Sequence, residues 1–146
     1  MFSSISISEY KKMIEAEMSE DTIQKKLVLY IKEHYPNVLF TCSVAGLLPI
    51  LTKRTFSSQK YSPFLSKIKN MGYRNGTPDL IIFEPKEIDG LHYNGMLIEL
   101  KKIKGKISDY QNEFMKLANE RNYYCVVCFG LKQAIDTIDF YLANHK

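Results

Sequence analysis

Gly72-Tyr73-Arg74-Asn75-Gly76-Thr77-Pro78-Asp79-Leu80-Ile81-Ile82-Phe83 and Gly95-Met96-Leu97-Ile98-Glu99-Leu100-Lys101-Lys102 decide how this chain is read. The first stretch is full of turn residues as far as Asp79. Leu80-Ile81-Ile82-Phe83 is then an apolar run of strand length. A polar connection over residues 84–94 leads to the second stretch, which alternates. Side chains point to opposite faces along a strand, so Met96, Ile98 and Leu100 share one face, and Leu97, Glu99 and Lys101 share the other. If the two strands pair as a hairpin, the carboxylates of Asp79 and Glu99 approach one another.

Upstream, a helix is predicted over residues 20–34. Its apolar positions Ile23, Leu27, Tyr30 and Ile31 recur at helical spacing. It ends before Tyr35-Pro36, because proline disfavours helix at the residue before it. Glu20 and Gln24 lie on or beside this inward stripe. An inward carboxylate is unusual unless it is paired or binds metal. The helix dipole explains its place along the helix but not its face. Residues 38–42 read as a short strand and residues 61–71 as a helix carrying Phe64, Leu65 and Ile68, with an irregular stretch over 43–58.

Downstream, Ser108-Asp109-Tyr110-Gln111 has the pattern of a capping box. The helix it opens carries Tyr110, Phe114, Leu117 and Ala118 as its core stripe. Tyr123 to Phe129 reads as a buried strand. A final helix over 131–142 places Leu131, Ala134, Ile135, Ile138 and Tyr141 on one face. Residues 1–18 read as an N-terminal extension, in which Ser8 caps a short helix with Tyr10, Met13, Ile14 and Met18. Residues 19–146 then form one domain. The order is helix, three strands, helix, strand, helix, with an extra helix after the first strand. That is a mixed α/β domain, and the helix between the third and fourth strands calls for a right-handed crossover.

The 146 residues suffice to bury one core. A hydrophobic share of 45% and a charged share of 25% are those of a globular protein. No apolar run reaches the roughly 18 residues of a membrane helix, and the N-terminus lacks a secretory signal. The expected location is intracellular (cytoplasmic, or nuclear in a eukaryote), not secreted, with no membrane partner. Cys42, Cys125 and Cys128 do not suggest a disulfide framework. Cys125 and Cys128 form a C-x-x-C, but residues three apart on a strand face opposite sides. No second Cys or His pair completes a zinc site. They read as core cysteines.

The net charge of +4 permits a polyanionic partner. Lys53, Arg54, Lys60, Lys67, Lys69 and Arg74 cluster without an acidic residue among them, interleaved with Phe56, Tyr61, Phe64 and Tyr73. This is either a solvated basic face or a phosphate-contacting surface. Likewise Asp79, Glu99 and Lys101 have two readings. They could be surface ion pairs, Glu99 with Lys101 and Asp79 with Arg74. Alternatively, the two carboxylates and the Leu100 carbonyl hold a hard divalent cation such as Mg²⁺, with Lys101 beside the attacking water.

The ordered motifs are more specific. Gly76-Thr77-Pro78-Asp79 followed by Ile98-Glu99-Leu100-Lys101 resembles the P-D…(D/E)-x-K signature of the restriction-endonuclease-like nucleases. Within that superfamily the chain resembles the virus-type replication-repair nuclease family, VRR-NUC. Gly72 to Asp79 matches its G-x-x-x-G-x-P-D. Ile98 to Lys101 matches I-E-L-K. Gly105, Lys106, Ser108 and Gln111 match the Gly-Lys, Ser and Gln that open the next helix. Glu20 and Gln24 match its upstream helix, and Tyr123 to Leu142 its last strand and helix.

The resemblance implies an α-β-β-β-α-β core, a mixed central sheet flanked by helices, and a metal-dependent DNA endonuclease. It implies that Asp79, Glu99 and the Leu100 carbonyl bind Mg²⁺ or Mn²⁺, and that Glu20 does so directly or through water. Lys101 positions the attacking water, and Gln111 orients the lysine or the water. Lys102 and Lys104 join the DNA-contacting basic residues. Stand-alone members resemble junction-resolving enzymes, which implies a homodimer and branched DNA such as four-way junctions or flaps, in repair, recombination or replication. A nicking or restriction-type nuclease on duplex DNA, and a catalytically silent DNA-binding subunit, are the alternatives. The segment Val44-Ala45-Gly46-Leu47-Leu48-Pro49 departs from the family's polar Asn-Gly turn and could instead form a subunit contact.

Overall fold

A computed structural model describes residues 6–8, 11–12, 18–44 and 63–143. The elements, in chain order, are α1 (Glu20–His34), β1 (Phe40–Cys42), α2 (Pro63–Asn70), β2 (Leu80–Ile82), β3 (Lys86–Ile88), β4 (Leu91–Tyr93), β5 (Gly95–Lys101), α3 (Asp109–Asn119), β6 (Tyr123–Phe129) and α4 (Leu131–Leu142). The helix predicted within residues 1–18 falls largely outside the described residues, including Tyr10, Met13 and Ile14.

Local chemistry explains the boundaries. Ser19 caps α1, its hydroxyl accepting the Thr22 N–H at 3.2 Å. The helix closes where Tyr35 N–H bonds the Ile31 carbonyl and Pro36 follows. At α3 the capping box is complete: Gln111 N–H donates to Ser108 Oγ at 3.3 Å, and Ser108 N–H donates to Gln111 Oε1 at 2.9 Å.

The main sheet has the order β1-β2-β5-β6. β1 and β2 run antiparallel, as do β2 and β5, with Leu80 opposite Ile98. β5 and β6 run parallel, joined by the crossover through α3. The sheet is therefore mixed, and the predicted hairpin relation of β2 to β5 holds. The connection over 84–94 differs from the expectation. It folds as its own ribbon, β3 against β4, around Asp89-Gly90. Both turn residues have positive φ, +50° and +77°, as a two-residue hairpin turn requires.

The two faces of β5 bury against different partners. Met96, Ile98 and Leu100 pack with Ile23, Leu27 and Ile31 of α1 and with Ala134, Ile138 and Tyr141 of α4. Leu97 packs on the other face with Met115 and Ala118 of α3. Tyr30 is only half-buried, and its hydroxyl, like that of Tyr35, donates to the Asp139 carboxylate of α4. So Tyr30 ties two helices together at the edge of the core instead of filling it. Cys128 lies in the first core and Cys125 against the second, on opposite faces. Burial pushes both thiols up, Cys125 to about 11. They are core cysteines. Among the described residues no helix is long and apolar enough to cross a membrane.

The loop before β2 is seated on α3. Gly76 has φ +82°, and a Cβ there would lie 2.1 Å from the Tyr110 carbonyl oxygen. Gly90 has a similar φ of +77° but no atom within 4 Å of such a Cβ. Gly90→Ala therefore carries only the left-handed backbone cost, roughly 1 kcal/mol. Gly76→Ala adds backbone overlap and is expected to cost about 3 kcal/mol or more. Urea unfolding of both variants checks this. Equal losses would show that the loop does not rest on α3 as described.

Candidate metal centre

The polar residues predicted for the site gather where β5 ends and β2 begins. Glu99 and Lys101 lie on one face of β5, and their side chains are only 2% and 8% exposed. Lys101 Nζ donates to Glu99 Oε1 at 2.6 Å. The pair is thus buried, not a surface pair. Arg74 does not pair with Asp79; it faces Glu113 at 3.5 Å in solvent.

Continuing the β2–β5 register puts Asp79 opposite Glu99 and Pro78 opposite Leu100. Asp79 Oδ2 accepts the Leu100 N–H at 2.7 Å. A residue's N–H and carbonyl point to the same edge of its strand, so the Leu100 carbonyl also faces this opening. Proline has no N–H, so Pro78 cannot engage that carbonyl. The residue before the aspartate thereby keeps one backbone oxygen available.

Gln111, in the first turn of α3, also reaches the site. Its Oε1 is taken by the Ser108 N–H, so its Nε2 is the group aimed outward. That Nε2 donates to Glu99 Oε1. Glu99 Oε1 therefore has two donors. Its Oε2 is buried and has no hydrogen-bond partner among the described residues. Gly105 packs on the stem of the lysine: a Cβ there would meet Lys101 Cβ at 3.0 Å.

Glu20, the first residue of α1, stands 3.8 Å from Lys101 Nζ with its side chain 45% exposed. It meets the site through the lysine. Among the described residues no three Asp, Glu, His or Cys side chains form a metal-holding group. The resemblance implies that Glu20 holds the metal directly or through water; in this structure it stands beside Lys101, and its charge also raises Asp79 and Glu99.

Burial dominates the electrostatics. It pushes the Glu99 carboxyl from 4.5 to about 7; the Lys101 hydrogen bond opposes this and the Asp79 charge adds to it. Asp79 is also raised, chiefly by burial, against the Leu100 N–H and Lys101. Burial pulls the Lys101 ammonium down, but Glu99, Glu20 and Asp79 outweigh it and the net shift is upward. Lys101 is thus a charged donor at neutral pH.

The donor set fits a hard divalent cation. A buried carboxylate oxygen without a partner, a second carboxylate beside it and a backbone carbonyl are all oxygen ligands. Two acids raised by burial and by the Glu20 charge, Glu99 also by Asp79, are a site short of positive charge.

Of the basic residues singled out, Lys67 and Lys69 on α2, Arg74, Lys102 and Lys104 are exposed. Lys53, Arg54 and Lys60, like Phe56, Tyr61 and most of the segment Val44-Ala45-Gly46-Leu47-Leu48-Pro49, lie outside the described residues. Sequence reasoning counted Tyr73 only among the interleaved aromatics. It stands near the acid pair, its hydroxyl pushed up by burial and then by the charge of Glu99. Its place three residues before Gly76 on the same glycine loop was the available signal.

A mixed α/β sheet with an acid pair and a lysine at the meeting ends of two strands is a nuclease architecture. The chain belongs to the VRR-NUC family: the profile of the VRR-NUC domain matches residues 18–131. It is similar in fold to a solved structure described as a VRR_NUC domain protein. The two are 24% identical with a TM-score of 0.62, over 86% of this chain and 89% of the other. No curated protein matches the chain significantly.

The raised Glu99 carboxyl makes a signed prediction about stability. In EDTA, the folded protein holds this proton more tightly than the unfolded chain. The contribution of Glu99 is therefore fully present below pH 4.5 and is lost as pH rises through about 7. Glu99→Gln lacks that loss. The stability of the variant relative to the parent should rise by about 1–3 kcal/mol between pH 5 and pH 8. Parallel pH curves from thermal unfolding would sink this assignment.

Proposed function

We propose that this chain is a metal-dependent DNA endonuclease, with Mg²⁺ or Mn²⁺ as cofactor and branched DNA as substrate. The observation that carries the reading is Glu99 Oε2, buried beside Asp79 and without a partner among the described residues. A carboxylate in that position is unfavourable for folding unless a cation completes it. Asp79, Glu99 and the Leu100 carbonyl are the residues that would hold the ion. Bound there, a divalent cation stabilises charge developing on the phosphate and acidifies the attacking water.

The chain's own groups divide the remaining work. Lys101, charged and fixed by Glu99, donates a hydrogen bond to the attacking water and orients it. Gln111 holds Glu99 in place through its amide. Glu20 adds negative charge next to Lys101 and favours its protonated form. Lys67, Lys69, Arg74, Lys102 and Lys104 supply exposed positive charge for the sugar–phosphate backbone. They carry no base-reading pattern, which suits selection by DNA shape. The family resemblance supports a homodimer, in which two such sites act on two strands of a junction. A silent DNA-binding subunit has no use for a buried acid pair that costs stability.

The test is cleavage of four-way junctions, flaps, duplex and single strands with Mg²⁺, Mn²⁺ or EDTA. Branched DNA should be cut preferentially, and only with metal. Asp79→Ala, Glu99→Ala and Lys101→Ala should each lower kcat by at least about 10²-fold. Gln111→Ala should lower it by roughly 10- to 100-fold, as for groups that orient metal ligands. Cutting that survives EDTA refutes the mechanism. Calorimetric Mn²⁺ binding unchanged in Asp79→Ala refutes the ligand assignment. Light scattering that gives a monomer on a cleaved junction removes the paired-site arrangement.

A further inference from the structure

Beside the acid pair, a cavity of about 300 Å³ opens between the glycine loop and α3. That is the small end of the range for ligand pockets. Tyr73 lines it from the loop, and Tyr110 and Phe114, one helical turn apart, line it from α3. None of the ring–ring contacts among the described residues involves these three rings. Among the described residues, no other ring covers their faces. Tyr110, which helical spacing placed in the core stripe, is instead 61% exposed, because the inward positions of α3 are Met115 and Ala118. Lys69 and Arg74 bring positive charge to the lining, and Asn75 and Glu113 bring hydrogen-bonding groups.

The chemistry of this lining narrows its ligand. A bare phosphate is poorly served, because Glu113 belongs to the lining and takes up part of the Arg74 charge. A flat group with apolar faces and polar edges is well served. The aromatic rings match its faces, Asn75 and Glu113 its edge, and Lys69 a phosphate attached to it. The cavity is also mechanically tied to the acid pair. Tyr110 immediately precedes Gln111, which donates to Glu99. The loop bearing Tyr73 rests on the Tyr110 backbone through Gly76.

We propose that this cavity is a nucleobase subsite, in which one unpaired base beside the cleaved phosphate stacks on Tyr110 and meets Asn75 and Glu113 at its edge. The proposal rests on the nuclease reading and sharpens it. The substrate must offer an unpaired nucleotide next to the scissile bond, as a flap or an open junction does.

The experiment is binding of a labelled flap oligonucleotide carrying 2-aminopurine at successive positions around the branch, in Ca²⁺ and in EDTA. The parent and Tyr110→Phe should quench one position. Tyr110→Ala should not quench it, and its Kd should be about tenfold higher. An abasic nucleotide at that position should cost the parent about the same factor and Tyr110→Ala nothing more. Circular dichroism checks that both variants are folded. A Tyr110→Ala loss that is equal with and without the base overturns the subsite, as does the absence of quenching at every position or of DNA binding in both buffers. Quenching at one position without cleavage in Mg²⁺ keeps the subsite and discards the nuclease reading. Cleavage without quenching does the reverse.

Discussion

The Glu99 carboxylate, buried at the end of the central strand, is the constraint around which the rest of the site is organised. One of its oxygens accepts from Lys101 and Gln111, and the other has no partner among the described residues. Each of these contacts reaches into a different part of the fold. Lys101 is two residues along the same strand face, so its position follows from the pleat. Gln111 belongs to α3, and its amide closes the helix cap with one end and holds Glu99 with the other. The start of that helix and the acid pair cannot move independently.

The same economy is seen at Pro78-Asp79. Asp79 replaces the last ladder acceptor for the Leu100 N–H, and Pro78 offers nothing to the Leu100 carbonyl. The β2–β5 ladder thus ends at the Asp79 carboxylate and a Leu100 carbonyl that Pro78 cannot engage. In the protein alone this is electrostatically strained, since burial and neighbouring carboxylates raise both acids: Glu20 acts on Asp79, and Asp79 and Glu20 act on Glu99. The strain sits at the sheet end, while both faces of the sheet around it are apolar and well packed. Stability comes from those faces, and they hold the charged groups where isolation would disperse them.

Much of the fold was legible in the sequence because its signals are local. The spacing of Ile23, Leu27 and Ile31, the Ser108 to Gln111 cap and the apolar run from Tyr123 each define an element through a few neighbouring residues. The alternation of β5 assigned its two faces correctly. The β3–β4 ribbon was missed because a polar, short-stranded hairpin lacks an apolar face, although Asp89-Gly90 announced its turn. Tyr30 was read as core because spacing reports a helix face and not what stands opposite it. Asp139, more than a hundred residues away, turned it into a hydrogen-bonding group.

The candidate site divides along the same line. Sequence alone identified which residues would gather, because the strand alternation and the order of motifs are properties of the chain. Tertiary structure decided how they meet: that the Glu99–Lys101 pair is buried rather than solvated, that Arg74 turns to Glu113, and that Glu20 touches the lysine rather than the acid pair. It also showed one Glu99 oxygen without a partner among the described residues, and Tyr73 near enough to feel the charge of Glu99. The reason is physical. Burial and ion pairing depend on what distant segments place around a charge, and a local pattern does not contain that information.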